Sequence, residues 1–233
     1  MNADSSNTTR RVPVGSGPVV PAWMWPTFGV ATAVFFFAMG FDIEPLRFTF
    51  KALPVLTLAV GVYLTEPSTR FRRLIALGLL FGAIGDFEFG YFELTLAAFL
   101  VSHLIYITAF VGVSRAAKPA LAIPYVAVGI GLTIYLAEGA GDLLIPVAIY
   151  AVVISIMGWR AAALVGECEA AVSYLLAIGA TLFIVSDAIL AINRFHSEVT
   201  AADWLIMVPY LAAQGLIAVG AVRHRAGVRD SVT

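Results

Sequence analysis

The chain has a single cysteine, Cys168, in 233 residues, which excludes an internal disulfide and any CxxC metal or redox site. Lysine is nearly as scarce, with Lys51 and Lys118 the only two among 14 basic residues, and there are three histidines. Charge of either sign is sparse: 12% of the residues are charged, about half the share carried by a soluble domain. A chain this poor in charge and 61% hydrophobic cannot coat a water-facing surface. It has no concentrated basic stripe either, so no nucleic-acid partner is expected. The excess of Arg over Lys, with abundant Ala and Gly, is the composition of a GC-rich bacterial source.

What the chain has instead is a series of long apolar runs, at about 23–41, 48–65, 74–90, 94–113, 120–137, 143–162, 171–193 and 204–222. Each is long enough to cross a hydrocarbon core as a helix. The expected fold is therefore all-α, a polytopic membrane protein of about eight transmembrane helices. Residues 1–21, rich in Ser, Thr, Asn, Gly and Pro, read as a flexible tail, 22–222 as the membrane domain and 223–233 as a second tail. The first run follows Arg10-Arg11 but is as long as a full span and lacks a small-residue cleavage site, so it reads as a helix, not a removed leader. With eight spans, the tails and even-numbered loops hold 11 of the 14 basic residues, and the other side only Arg47, Lys51 and Arg194. The positive-inside bias then puts both termini in the cytoplasm of a bacterial cell.

Acidic residues inside the spans stand out, because an ionised carboxylate in hydrocarbon costs several kcal/mol unless paired, protonated or hydrated. Asp86 lies in span 3 and Asp187 in span 7, both in helices running outward from the cytoplasmic side. At 1.5 Å per residue from Arg72 and Glu169 they sit roughly 20–27 Å from that face, at matched depth. They can share a site if spans 3 and 7 pack together. Gly78, Gly82 and Gly85 form a small-residue strip leading to Asp86, which would let a neighbouring backbone approach. His103 in span 4 shares a helical face with Phe99, Tyr106 and Phe110. Gln214 in span 8 follows Tyr210 by one turn, the same aromatic-to-polar spacing as Phe99 and His103. Together with Gly85-Asp86 and Ser186-Asp187, this spacing suggests two parallel four-helix halves. Lys51 and Arg194 sit near the carboxylates' level, each either a snorkelling cation or a partner for an anion.

In these residues the chain resembles the lysoplasmalogenase (YhhN-like) family of polytopic membrane hydrolases. The resemblance runs through Thr49-Phe50-Lys51-Ala52-Leu53-Pro54, Gly85-Asp86, Phe99 to Tyr106, Tyr150, Met157-Gly158-Trp159-Arg160-Ala161, Gly179 to Phe195, and Tyr210 to Ala218. It covers about 49–218, in family order. Ala52 departs from the proline many members carry after the lysine. The resemblance implies hydrolysis of the vinyl ether bond of lysoplasmalogens to a fatty aldehyde and a glycerophospho-alcohol. It implies Asp86 and Asp187 as catalytic carboxylates, with Lys51, His103, Tyr150 and Gln214 among the family-matching polar positions; Tyr106, Tyr210 and Arg194 join these as site-lining candidates. A buried carboxylic acid held protonated can deliver a proton to the vinyl carbon while a second carboxylate stabilises the cation and activates water. No cofactor, resident metal or obligatory protein partner is expected, only a lysophospholipid and the bilayer. Two rival readings remain open from the residues: a small proton-coupled transporter, which paired intramembrane carboxylates also suit, and a non-catalytic lipid-binding receptor.

Overall fold

A computed structural model of the chain describes residues 17–87 and 91–225. Its apolar runs all form helices: α1 (Met24–Gly40), α2 (Glu44–Lys51), α3 (Leu53–Tyr63), α4 (Arg70–Asp86), α5 (Phe92–Val113), α6 (Ala122–Ala140), α7 (Leu144–Ala163), α8 (Ala170–Phe195) and α9 (Ala202–Arg223). Five apolar stretches reach membrane-crossing length, and one of them, Pro119–Ala163, contains both α6 and α7. The shorter apolar helix α1 stands beside them, and the 17-residue α4, which carries Arg70, Arg72 and Arg73 in its first turn, takes the place of the third expected span. Side chains facing outward confirm the solvent: Val30, Ile134 and Ile145 are 63%, 70% and 71% exposed, which only a lipid environment tolerates on this scale.

The second expected span is corrected. It is one apolar run in the sequence but two helices, because Pro45 and Pro54 each occupy a first helical turn. A proline is accepted there, and its ring disfavours helix continuity with the preceding turn, so the chain breaks at Ala52. The short α2 buries none of its residues and carries Glu44, Arg47 and Lys51, whereas α3 packs seven residues inward. Arg47 ties α2 to the start of α9 by donating to Asp203 at 2.7 Å. Of the tail expected over 1–21, residues 17–21 are described, and Val19 there exchanges backbone hydrogen bonds with Glu66 at 2.7 and 3.1 Å. Arg10, Arg11 and Arg229, which entered the charge argument, lie outside the described residues.

The core lies where α3, α4, α5, α8 and α9 converge, around Leu58, Leu79, Phe110, Leu176, Phe183 and Ile217. Neighbour relations largely repeat between α1–α5 and α6–α9. The pairs α4–α5 and α8–α9 correspond, as do α3–α4 and α7–α8, and the crosswise pairs α5–α7 and α3–α9. The match is incomplete, since α4 also packs on α9 whereas α5 and α8 meet chiefly through side chains.

Two arginines counted as topological charges are buried at the even-loop end of the bundle. Arg72 is 1% exposed and donates to Ala221 O at 3.1 Å, Val222 O at 3.2 Å, His224 O at 2.7 Å and Pro67 O at 2.5 Å. It thus caps the C-terminus of α9, whose last carbonyls have no partner within their own helix. Arg160 does the same for the end of α5, donating to Ala116 O at 2.9 Å and Ser114 O at 2.6 Å. Beside it, Lys118 pairs with Glu167 at 2.8 Å, just before Cys168 in the α7–α8 loop.

Candidate active site

Asp86 is the last residue of α4 and is 5% exposed. Its Oδ2 accepts a hydrogen bond from Tyr210 Oη on α9 at 2.7 Å. Tyr210 Oη in turn accepts from Gln214 Nε2 at 3.3 Å, and Gln214 Oε1 accepts from Tyr106 Oη at 2.8 Å. Tyr106, Gln214, Tyr210 and Asp86 therefore form one buried chain in which each donor points towards the carboxylate. Lys51 and Asp187 both lie within electrostatic reach of Asp86.

Asp187 belongs to a second cluster. Tyr150 Oη on α7 donates to its Oδ2, and His103 Nε2 on α5 lies 2.8 Å from Tyr150 Oη and 3.6 Å from that same carboxylate oxygen. Because the tyrosine proton is directed at Asp187, Nε2 is the donor to Tyr150, which fixes the tautomer and leaves Nδ1 an acceptor. Nδ1 has no hydrogen-bond partner among the described residues.

The condition set for the two acids to share a site, direct packing of spans 3 and 7, is not met. Among the described residues α4 and α8 are not a close-packed pair; the acids approach through side chains of α5 and α9. Phe183, one turn before Asp187, fills the space between the clusters. Its ring lies 4.7 Å from that of His103, 5.3 Å from Tyr210 and 6.0 Å from Phe99, each edge-on. Sequence reasoning did not single out Phe183 as a site residue, although its spacing of four from Asp187 puts both on one helical face. Among the described residues no group of three or more His, Cys, Asp or Glu has the arrangement of a metal site, and Asp86 does not join Asp187 and His103 as a third ligand.

The glycine strip on α4 is also corrected. A Cβ on Gly78 would collide with the Tyr106 ring, one on Gly82 would lie 2.6 Å from Gln214 Nε2, and one on Gly85 would lie 2.8 Å from the Phe99 ring. These glycines are sockets for site side chains, not a track for a neighbouring backbone. Gly78→Ala is therefore expected to displace a fully buried ring and cost about 1–3 kcal/mol, while Gly112→Ala, with nothing within 4 Å, should cost nothing of that kind. Thermal unfolding in detergent of the two variants side by side checks the contrast.

An apolar cleft of about 660 Å³, counting its open mouth, runs between α5, α6, α7 and α8. Phe99, Leu132, Ile154 and Ile184 are among its walls, and Asp187 and Tyr150 are the ionisable groups on them. Below Ile184 the helices close again, where Tyr125 Oη of α6 meets Thr181 Oγ1 of α8 at 3.1 Å. Asp86, by contrast, is behind Phe99 and lines no part of the cleft. Thus His103 and Tyr150 gather at Asp187, Tyr106, Tyr210 and Gln214 at Asp86, and Arg194 stands at the cleft mouth over Phe92.

A model of the YhhN family matches residues 46–221, which encloses the segments that carried the resemblance. Lysoplasmalogenase TMEM86A of Bos taurus is 34% identical over 195 residues, covering 77% of this chain and 80% of its own. Lysoplasmalogenase TMEM86B of Homo sapiens is 34% identical over 176 residues, covering 74% of each. A lysoplasmalogenase of Mycobacterium tuberculosis is 29% identical over 229 residues, 89% of this chain and 84% of its own. No solved structure matches the chain.

Proposed function

The chain belongs to the YhhN family, and from that membership we propose that it is a membrane hydrolase that cleaves the vinyl ether bond of lysoplasmalogens. The observation that carries the proposal is that Asp187 is the one carboxyl group among the described residues that lines an apolar cleft, where Tyr150, also on the cleft wall, and the buried His103 hold it. Apolar walls suit an alkenyl chain, and a carboxyl at their edge suits the first step of its cleavage.

The β-carbon of the vinyl ether takes a proton from Asp187, leaving positive charge shared between the α-carbon and the ether oxygen. Water adds to the α-carbon and gives up a proton, and the resulting hemiacetal breaks its bond to the glycerol oxygen. One water is consumed: the proton it gives up on addition returns to Asp187, and the hemiacetal hydroxyl proton passes to the departing glycerol oxygen, leaving a fatty aldehyde and a glycerophospho-alcohol. His103 and Tyr150 orient the Asp187 carboxyl and pass protons to and from it. Asp86, held by Tyr210 and Gln214, is a second buried carboxyl group behind the Phe99 and Phe183 rings, off the cleft. Lys51 balances Asp86, and Tyr106 anchors the amide of Gln214. The membrane domain is taken as residues 22–222, with both termini cytoplasmic on the distribution of basic residues.

Purified protein in detergent should release aldehyde from an alkenyl lysophospholipid, followed through a coupled aldehyde dehydrogenase. Substrate movement across liposomes without aldehyde would replace the hydrolase with a transporter; binding without either would leave a receptor.

A further inference from the structure

Three cations stand at the odd-numbered-loop end of the bundle; Arg47 is taken up by Asp203, and the surroundings of the other two differ. Lys51, the last residue of α2, is half-buried and within electrostatic reach of Asp86. Arg194, in the last turn of α8, is exposed and makes no hydrogen bond or ion pair among the described residues. Its guanidinium lies over an aromatic face, Cζ 5.4 Å from the centre of the Phe92 ring. Phe92 and Phe195 both line the cleft and pack edge-on with centroids 5.5 Å apart, so Arg194 stands on the lip of the pocket into which Asp187 opens.

The spacing along α8 adds a length. Arg194 follows Asp187 by seven residues, two turns along one helical face, or about 10 Å of rise. Side chains of a helix tilt towards its N-terminus, which carries the guanidinium back towards the carboxyl and shortens that separation. In a lysoplasmalogen the vinyl ether and the phosphodiester are joined by the three glycerol carbons, a bridge of matching reach.

We propose that Arg194, seated on Phe92, is the anion-binding subsite that holds the phosphodiester of the lysophospholipid while its vinyl ether lies at Asp187. The inference rests on the hydrolase reading of the cleft and adds where the head group docks. A guanidinium offers two parallel donors that match a pair of phosphate oxygens, and its planar face lies well on an aromatic ring. Among the described residues it forms no ion pair that a phosphate would have to displace. The head group accordingly enters at the odd-numbered-loop end of the bundle, with the chain directed inward along the cleft.

The test compares two substrates in mixed micelles at equal mole fraction: an alkenyl lysophospholipid, and the corresponding 1-alkenylglycerol, which has the same vinyl ether and no phosphate. Arg194→Gln is expected to lower kcat/KM for the phospholipid about tenfold, chiefly through KM. It should leave the alkenylglycerol within about twofold, which also shows that the variant is folded. Arg194→Lys, which keeps the charge without the fork, should recover part of the loss. Equal loss on both substrates, or none on the phospholipid, overturns the subsite. Failure of the unaltered protein to cleave either substrate overturns the hydrolase reading and the subsite with it.

Discussion

Asp187→Asn is expected to lower aldehyde release about 10³-fold while leaving the protein folded and able to bind its lipid. The asparagine amide has nearly the shape of the carboxyl, and its oxygen can still accept from Tyr150, so the cluster of Tyr150, His103 and residue 187 keeps its form. What disappears is the proton that the vinyl carbon must receive, and among the described residues no other carboxyl group lines the cleft. Asp86→Asn should cost less, about tenfold. Asp86 lines no part of the cleft, so its replacement acts only through the hydrogen bonds it shares with Tyr210 and Gln214. Turnover of both variants, with binding of a saturated alkyl lysophospholipid as the measure of an intact cleft, separates the two carboxylates. Retention of a tenth of the activity by Asp187→Asn would remove it from the proton-donor role.

Arg72→Met should cost about 3 kcal/mol or more and lower the apparent Tm in detergent by on the order of 10 °C. The methionine fills much of the volume but leaves the carbonyls of Ala221, Val222, His224 and Pro67 without the donor they now share. Ala221 and Val222 lie in the last turn of α9 and His224 is its C-cap; this helix supplies Tyr210 and Gln214 to Asp86, so activity should fall along with stability. Arg72→Lys should recover only part of the loss, because one ammonium cannot meet four carbonyls spread around a planar fork. A Met variant as stable as the parent would mean that α9 is held by its apolar packing alone.

Much of this architecture was legible in the sequence because hydrocarbon thickness sets the length of an apolar run and polar residues within it are few. The apolar segments and the intramembrane Asp86, Asp187, His103 and Gln214 follow from that scarcity, whereas Tyr150 was marked only by the family resemblance. The division of those residues into two clusters was not legible. Asp86 meets Tyr210 across 124 positions, and His103 meets Tyr150 across 47, through crosswise helix contacts that helical periodicity within one span does not encode. The use of Gly78, Gly82 and Gly85 was hidden for the same reason: spacing shows that small residues share a face, not what fills the space they leave. The break in the second span was written in Pro45 and Pro54, but a hydropathy window averages across both.

The lone thiol has a practical consequence. Cys168 sits half-buried in the α7–α8 loop between Glu167 and Glu169, and burial, then those two carboxylates, push its pKa up. Little thiolate is present at neutral pH, so it should react slowly with maleimides. An exposed cysteine introduced at the cleft mouth can then be tagged near pH 7 with the native residue left in place, and a fluorophore or spin label there would report lipid entry in a chain otherwise unaltered.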